Sequence, residues 1–297
     1  MTWIEPTSLT MPVDGGDLTV ARWGSGSRVV VASHGITANH RAFGEVAAHL
    51  RDADVSLYAV DHRGRGGSAG LPGPYGVTAH ARDLVAVLDH LEVEVALLVG
   101  HSMGAFVVTR AAELTPARVS GLVLVDGALP VPIDLPPDSD IEAVVRSVIG
   151  PALDRLERTF ASPEEYVALW REHPAVGGGY FTDVAEAYVR YDLIADGAVW
   201  RSPVDKAAVL EDGQSLLVDD EARTAITRVD VPTTLLWTPR GLLDQEPGMY
   251  PPEVVEGIVP DLAHVDARLV ADVNHYSILF SEVGGAAVAD AIVERLS

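Results

Sequence analysis

The 297-residue chain contains no cysteine. This absence excludes disulfide bonds, a thiol nucleophile and metal sites built from thiolates. Positive charge is also scarce, because Lys206 is the only lysine and the formal net charge is −22. A protein of that charge repels nucleic acid and anionic membrane surfaces, so we expect neither as a partner.

Long apolar runs are missing as well. No run approaches the roughly 20 residues that a membrane-spanning helix needs, and residues 1–14 lack the apolar core of a secretion signal. We therefore expect a soluble cytoplasmic protein. The ten histidines show no convincing metal-ligand spacing, so we predict no metal and no cofactor. The oligomeric state is not readable from the sequence.

Short β-branched runs alternate with helical patterns in the first 128 residues. This alternation predicts an α/β fold, a mostly parallel sheet covered by helices on both faces. Strand patterns return near the C-terminus and a final helix follows them. The predicted strands are 28–32, 55–60, 95–99, 119–125, 233–237 and 267–273, and the predicted helices are 41–50, 78–91, 105–114 and 282–296.

Residues 129–229 show mainly helical patterns, with Ser162, Thr182 and Ser202 as predicted N-caps. An insertion after the strand 119–125 leaves the order of the sheet undisturbed. We therefore interpret 129–229 as a helical lid inserted into a core of 1–128 and 230–297. In the alternative interpretation, these helices simply extend the core.

Residues 100–104 read Gly-His-Ser-Met-Gly and stand between a predicted strand and a predicted helix. A serine in this G-x-S-x-G context lies on a sharp strand-to-helix turn that exposes its hydroxyl at the edge of the sheet. Glycines flank it because the turn is strained and two backbones pass close together. Ser102 is therefore the candidate nucleophile.

A serine hydroxyl needs a base within hydrogen-bond reach, and His275 is the best-placed histidine. It follows the last predicted strand, and loops beyond the carboxyl ends of parallel strands line the ligand crevice. The base in turn needs a carboxylate to orient it. Asp126, at the end of the strand 119–125, and Asp244, in the loop after the strand 233–237, are both candidates.

Two backbone N–H groups are expected to stabilise the oxyanion. Met103 supplies one because it follows the nucleophile at the start of a helix, and Ile36 supplies the other because it follows His34 and Gly35. Gly35 permits close approach, and His34 braces the loop. We predict that His34 and Gly35, together with His101 beside the nucleophile, bind the substrate.

Aromatic side chains are concentrated in the predicted lid and are numerous enough to line an apolar pocket. Of these, Trp170 and Tyr188 are predicted to contact the substrate. In the alternative, most of the aromatic residues form the lid's own small core. The set comprises Phe160, Tyr166, Trp170, Tyr180, Phe181, Tyr188, Tyr191 and Trp200.

Together these motifs resemble the α/β-hydrolase fold superfamily. The resemblance rests on His34-Gly35, on the loop 61–68 (Asp-His-Arg-Gly-Arg-Gly-Gly-Ser), on the elbow 100–104 and on His275, in the family's order. It spans essentially the whole chain, with the lid as the least matched part. It implies a serine-nucleophile hydrolase of the esterase, lipase or lactonase kind, but the motifs are poorly specific for substrate.

The resemblance leaves two positions for the acid. The commoner enzymes of this kind place it shortly after the strand 233–237, at a position that is Gly241 here, so Asp244 serves only if the loop carries an insertion. A minority, resembling lipases and lactonases, place it after the strand that follows the elbow. Asp126 matches that second placement without adjustment, so we predict Asp126 as the acid and keep Asp244 as the alternative.

We therefore predict a serine hydrolase that cleaves a carboxylic ester or lactone of a small, largely apolar molecule. Ser102 attacks the carbonyl while His275 takes its proton, and water later releases the acyl group from the acyl-enzyme. Two alternatives stay open. The same triad could cleave a carbon–carbon bond or an amide, or the chain could bind a ligand on a hydrolase scaffold without catalysis.

Overall fold

The computed structural model describes residues 3–130, 135–136 and 138–297. Ten strands are found in these ranges. They are β1 (Thr7–Val13), β2 (Gly16–Trp23), β3 (Arg28–Ser33), β4 (Val55–Val60), β5 (Ala96–His101), β6 (Val119–Val125), β7 (Ile194–Asp196), β8 (Val199–Arg201), β9 (Thr233–Trp237) and β10 (Val265–Leu269).

Eight of these strands form one sheet in the order β1-β2-β4-β3-β5-β6-β9-β10, while β7 and β8 form a separate hairpin. β2 runs antiparallel to both β1 and β4. The remaining neighbours are parallel. The predicted α/β class with a mostly parallel sheet is therefore confirmed.

Helices flank the sheet and fill the segment between β6 and β9. They are α1 (Gly44–His49), α2 (Val77–His90), α3 (Met103–Leu114), α4 (Ile141–Leu156), α5 (Pro163–Arg171), α6 (Asp183–Tyr191), α7 (Lys206–Val218), α8 (Asp220–Arg223), α9 (Pro252–Ile258), α10 (Ser277–Phe280) and α11 (Glu282–Leu296). Short 3-10 turns cover His40–Phe43, Gly66–Ser68, Pro116–Arg118, Gly178–Tyr180, Ala225–Thr227 and Val259–Asp261.

The central strands are buried on both faces, which explains their unbroken apolar runs. Because side chains alternate across a strand, Val31 and Leu98 pack on one face, whereas Val30 and Leu97 pack on the other. Residues of α2 and α3 cover the first face, and residues of α1 and α11 cover the second. This layering brings the carboxyl ends of β3, β5, β6 and β9 to one edge.

The N-terminal hairpin of β1 and β2 was not predicted. Asp14 and Gly15 form its two-residue turn, with Gly15 at φ +87°. Asp-Gly between alternating apolar residues is a strong hairpin signal, so the sequence did contain the information. Near the other terminus, the predicted strand 267–273 was misplaced, since β10 ends at Leu269 and the following residues turn toward His275.

The segment 129–229, called the inserted segment below, contains α4 to α8 and the hairpin of β7 and β8, and none of its described residues joins the main sheet. Ser162 and Thr182 cap α5 and α6 as predicted. The predicted cap at Ser202 was wrong. Asp205 caps α7, while the Ser202 hydroxyl donates a hydrogen bond to the buried carboxylate of Asp192 at 2.9 Å.

None of the helices within the described ranges is long and apolar enough to cross a membrane.

Candidate active site

Ser102 lies in a strained turn between β5 and α3. Its φ is 56° and its ψ is −122°, in a region that a residue with a Cβ rarely adopts. The Ser102 N–H donates to the Val125 carbonyl at 2.9 Å, which ties the turn to the neighbouring strand. The turn presents the side chain to a cavity of about 420 Å³.

Close backbone contacts explain the glycines of this turn. A Cβ on Gly100 would lie 2.2 Å from the Gly104 carbonyl oxygen, and one on Gly104 would lie 2.0 Å from the Ser33 carbonyl oxygen. A Cβ on Gly35 would lie 3.2 Å from the Ser102 Cβ. Neither elbow glycine can therefore be replaced without moving backbone, and the loop after β3 passes directly beside the serine.

His275 is hydrogen-bonded to Asp126. Its Nδ1 lies 2.7 Å from Asp126 Oδ2, and both side chains are buried. Thr238 donates to the same carboxylate from its N–H at 3.3 Å and from its hydroxyl at 3.0 Å. Because Nδ1 donates to a carboxylate, the neutral imidazole keeps its lone pair on Nε2, the atom that could accept a serine proton.

Asp244, the other candidate acid, contacts the neighbour of His275. Its carboxylate pairs with Arg240 Nη1 at 3.0 Å and accepts a hydrogen bond from Asn274 Nδ2 at 2.9 Å. Asn274 Oδ1 in turn accepts from the N–H groups of Tyr276 and Ser277 at 2.9 and 2.8 Å. Asp244 thus holds the loop that carries His275, whereas Asp126 contacts the ring itself.

Ser102 and His275 line the same cavity. Among the described residues, the side chains of Ser102 and His275 form no hydrogen bond with each other, and the ring of His275 is hydrogen-bonded to Asp126. Contacts of this kind are often long before substrate binds and tighten in the complex. The His275 backbone is held on both sides, because its N–H donates to the Arg240 carbonyl at 3.0 Å and its carbonyl lies 2.8 Å from His101 Nε2.

The predicted oxyanion donors lie on either side of the nucleophile. Met103 is the first residue of α3, where N–H groups lack partners within the helix. Ile36 lines the cavity, and its carbonyl accepts from the buried Arg65 Nε at 2.9 Å. Neither the Ile36 N–H nor the Met103 N–H donates to another described residue. Both are therefore available to a ligand oxygen.

The predicted substrate-binding residues divide into two groups. Gly35, His101 and Trp170 line the cavity. The prediction for Tyr188 needs correction, because this side chain is 1% exposed and packs against Phe280 with 4.9 Å between ring centroids, so burial in the core removes it from the cavity wall.

His34 also lies behind the cavity wall, and its predicted substrate contact is corrected in the same way. Its Nδ1 donates to the Gly35 carbonyl at 2.7 Å, and its Nε2 accepts from the His62 N–H at 3.1 Å. Burial lowers the pKa of His34 to about 4 and that of His62 well below its usual value. Both are therefore neutral near pH 7, and His34 braces the loop of Gly35 and Ile36.

Two buried aspartates missed by the sequence reasoning join this region to the inserted segment. Asp61 accepts from the Tyr191 hydroxyl at 2.7 Å, and Asp212 pairs with Arg65 at 2.5 Å and with His80 at 3.0 Å. Burial alone would raise the pKa of each. Electrostatic interaction and hydrogen bonds with His40 for Asp61, and with Arg65 and His80 for Asp212, instead hold both pKa values at about 2.

We expect the free energy of unfolding to fall as the pH is lowered from about 6.5 to about 4. The pKa of a histidine in the unfolded chain is about 6.5, whereas the pKa of His34 in the folded protein is about 4. The unfolded state therefore holds more protons between these limits, and His34 alone contributes about 3 kcal/mol over the window. Asp61 and Asp212, with pKa values of about 2, stay ionised there.

Urea unfolding at pH 7.5, 6, 5 and 4.5 measures this dependence. His34→Gln will reduce this dependence without abolishing it, because burial also lowers the pKa of His62 and His173. The exposed His90→Gln is the matched control that leaves the slope unchanged. An equal slope in wild type and His34→Gln would contradict the assignment.

Comparison with known proteins identifies the family of the chain. Residues 24–190, more than half of the chain, match the sequence profile of a family described as serine aminopeptidase, S33. Lipase LipV of Mycobacterium tuberculosis (strain ATCC 25618 / H37Rv) is 32% identical over 157 residues, which cover 52% of this chain and 57% of the lipase. Epoxide hydrolase A of the same organism is 34% identical over 130 residues, which cover 43% of this chain and 39% of that enzyme. The chain spans about half the length of these relatives.

Solved structures share the fold over the whole chain. A hypothetical protein from Pseudomonas aeruginosa PAO1 superposes with a TM-score of 0.77 at 22% identity, covering 99% of this chain and 100% of that chain. E-2-(acetamidomethylene)succinate hydrolase superposes with a TM-score of 0.75 at 22% identity, covering 98% and 99%. At such identities, the likeness extends to the architecture alone.

Proposed function

Because the chain belongs to the serine aminopeptidase S33 family of α/β-hydrolases, we propose that it hydrolyses a carboxylic ester or lactone through an acyl-enzyme. Ser102 attacks the carbonyl carbon, and His275 Nε2 takes the hydroxyl proton and passes it to the leaving alcohol. The N–H groups of Ile36 and Met103 stabilise the oxyanion. A water molecule, deprotonated by His275, then releases the acid and regenerates the serine.

A single observation carries this proposal. The strained Ser102 and the His275 that is hydrogen-bonded to Asp126 line one cavity. Two backbone N–H groups without partners among the described residues lie beside them. These are the nucleophile, oriented base and oxyanion donors that acyl transfer requires. A serine at this position also argues against the epoxide chemistry of one relative, since that reaction is expected to use an elbow aspartate.

We further propose that the inserted segment, 129–229, is a lid over a core of 1–128 and 230–297, and that it selects the substrate. Much of the cavity wall is apolar and comes from α4, α7 and the loop that follows β9. This surface suits an acyl or alcohol chain. The apolar residues in question are Val145, Val148, Ile149, Leu216, Leu217, Leu242, Leu243 and Met249.

A fluorophosphonate probe will label the wild-type protein and fail to label Ser102→Ala, because the probe reacts with an activated serine hydroxyl. Intact-protein mass spectrometry measures the adduct. Boiled wild-type protein is the control for unspecific labelling. An unlabelled aliquot of the same preparation is screened against aliphatic esters and lactones, because the labelled serine can no longer react. Turnover of neither class would contradict the proposed substrates.

Absence of the adduct in folded wild type would favour a binding protein on a hydrolase scaffold. An adduct without ester or lactone turnover would favour amide or carbon–carbon bond cleavage.

A further inference from the structure

One end of the cavity is lined by hydrogen-bond donors. Arg155 lies on α4, Trp170 and His173 lie on and just after α5, and Tyr276 follows the candidate base His275. All four residues line the cavity. We refer to them as the donor cluster.

Arg155 is 7% exposed and only partly satisfied. Its Nη1 donates to Asp192 Oδ2 at 2.5 Å and to the Tyr166 hydroxyl. Its Nη2 is buried without a hydrogen-bond partner in the described part of the chain. The guanidinium carbon lies 5.1 Å from the ring centroid of Trp170, which stabilises the cation without accepting a conventional hydrogen bond.

His173 and Trp170 add two neutral donors. His173 Nδ1 accepts from the Ala175 N–H at 3.2 Å, so the ring proton of the neutral form is on Nε2. Burial, together with the charge of Arg155, lowers the pKa of His173 to about 4, which keeps the ring neutral near pH 7. Trp170 Nε1 is buried and, apart from a weak contact with the Tyr166 hydroxyl, has no acceptor among the described residues.

The donor cluster adjoins the candidate catalytic histidine. The Tyr276 ring centroid lies 5.4 Å from that of His173, 6.2 Å from that of Trp170 and 5.8 Å from that of His275. A substrate group bound at the donor cluster would therefore lie close to the reacting carbonyl of the same substrate molecule.

Acceptors are scarce at this wall. Among the described residues that line the cavity, Asp154 is the only carboxylate, and its side chain is 70% exposed and pairs with Arg146 at 3.3 Å. A buried N–H without an acceptor is costly, so the wall favours a ligand that brings oxygen atoms. A carboxylate does so best, because its hydrogen bonds to guanidinium are charge-assisted and weakly screened in a buried site.

We propose that the donor cluster of Arg155, Trp170, His173 and Tyr276 binds a carboxylate of the substrate. This inference rests on the proposed ester hydrolysis and narrows its substrate class to half-esters, in which an aliphatic chain links a free carboxylate to the scissile ester. The chain lies on the apolar wall, and the carboxylate binds at the donor cluster.

Three ethyl esters with six-carbon acyl chains test the proposal. Monoethyl adipate carries the carboxylate, its carboxamide analogue replaces it with a neutral isostere, and ethyl hexanoate has no polar end. We expect kcat/KM for monoethyl adipate to exceed that for the other two at least about tenfold, the effect of one charge-assisted hydrogen bond. Acid release in a pH-stat measures all three rates.

Arg155→Lys keeps the charge opposite Asp192 but loses the fork of N–H groups, and Trp170→Phe keeps the ring but loses its N–H. We expect either substitution to reduce the preference for monoethyl adipate by about tenfold, mainly through KM. Arg146→Lys is the matched control, because Arg146 lies on the same helix, does not line the cavity and pairs with Asp154. If Arg155→Lys does not fold, as judged by its unfolding midpoint, Trp170→Phe decides.

Calorimetry with monoethyl adipate and Ser102→Ala separates this inference from the proposed function. Binding that Arg155→Lys weakens about tenfold, without any ester turnover in wild type, would support the donor cluster and contradict ester hydrolysis. Equal turnover of all three esters would leave ester hydrolysis standing and overturn the carboxylate site. Equal rates for the carboxylate and the carboxamide would also overturn it, in favour of a neutral acceptor.

Discussion

Ser102→Ala will lower kcat for the best ester substrate by on the order of 10⁴-fold or more, because the nucleophile, base and acid of a triad act as one unit. Removing the hydroxyl leaves the oxyanion donors and the binding surface in place, so KM will change far less than kcat. Steady-state kinetics on purified wild type and variant measures the two constants separately.

The matched control is Ser120→Ala, an exposed serine on β6, the strand next to the elbow strand β5. It will retain wild-type kcat. The unfolding midpoint of Ser102→Ala will equal or exceed that of wild type, since the variant loses only a hydroxyl group at a cavity wall. Ester turnover by Ser102→Ala within tenfold of wild type would rule out the serine as nucleophile.

Asp126→Asn will lower kcat by on the order of 10⁴-fold. The asparagine can present its N–H₂ to His275 Nδ1, which favours the tautomer whose Nε2 carries the proton and cannot accept one from Ser102. It also removes the negative charge that stabilises the imidazolium formed during the reaction. The 2.7 Å contact between Asp126 and His275 is the basis of this expectation.

Asp244→Asn is the matched comparison, with the same chemical change in the loop after β9. Its amide oxygen can still accept from Asn274, so the loop of His275 keeps a support while the pairing with Arg240 is weakened. We expect a loss of less than about tenfold, as for one exposed ion pair. A larger loss in Asp244→Asn than in Asp126→Asn would reverse the assignment of the acid.

The elbow and the strands around it could be predicted because their signals are local. The run before Gly100, Gly100 itself and the start of α3 follow from contacts between near neighbours in the chain. Gly104 is required by the distant Ser33 carbonyl, but the short motif that contains it is still visible in the sequence. The elements β3, β4, β6, α2 and α11 agree with their predicted bounds within one residue. Burial on both faces leaves short continuous apolar runs in the strands, and burial on one face leaves a helical period in the helices, and both patterns are visible in the sequence.

Asp126 was the predicted acid, but the sequence kept Asp244 as an alternative, because both residues follow strands that end at the same edge. Only the fold shows that one carboxylate contacts His275 and the other contacts Asn274. Tyr188 was assigned to the substrate for a related reason: its aromatic character is visible in the sequence, but which side of α6 meets the core is not. Arg155 had no signal in the sequence, because its proposed role depends on an N–H group that lacks an acceptor, and only the folded structure shows this.

Tyr191 and Asp212 tether the inserted segment to the core at two buried points. Swinging the segment outward as a rigid body would break both contacts. Asp61 would lose the Tyr191 hydroxyl but keep His40 and Gly67. Asp212, in contrast, would lose Arg65 and His80 and become an unpaired charge, which is strongly unfavourable. We therefore expect ligands to enter through the opening beside Val148, Leu243 and Met249, which are exposed although they line the cavity. The rate constant for ligand association will therefore depend on the width of this opening and not on how often a hinge opens.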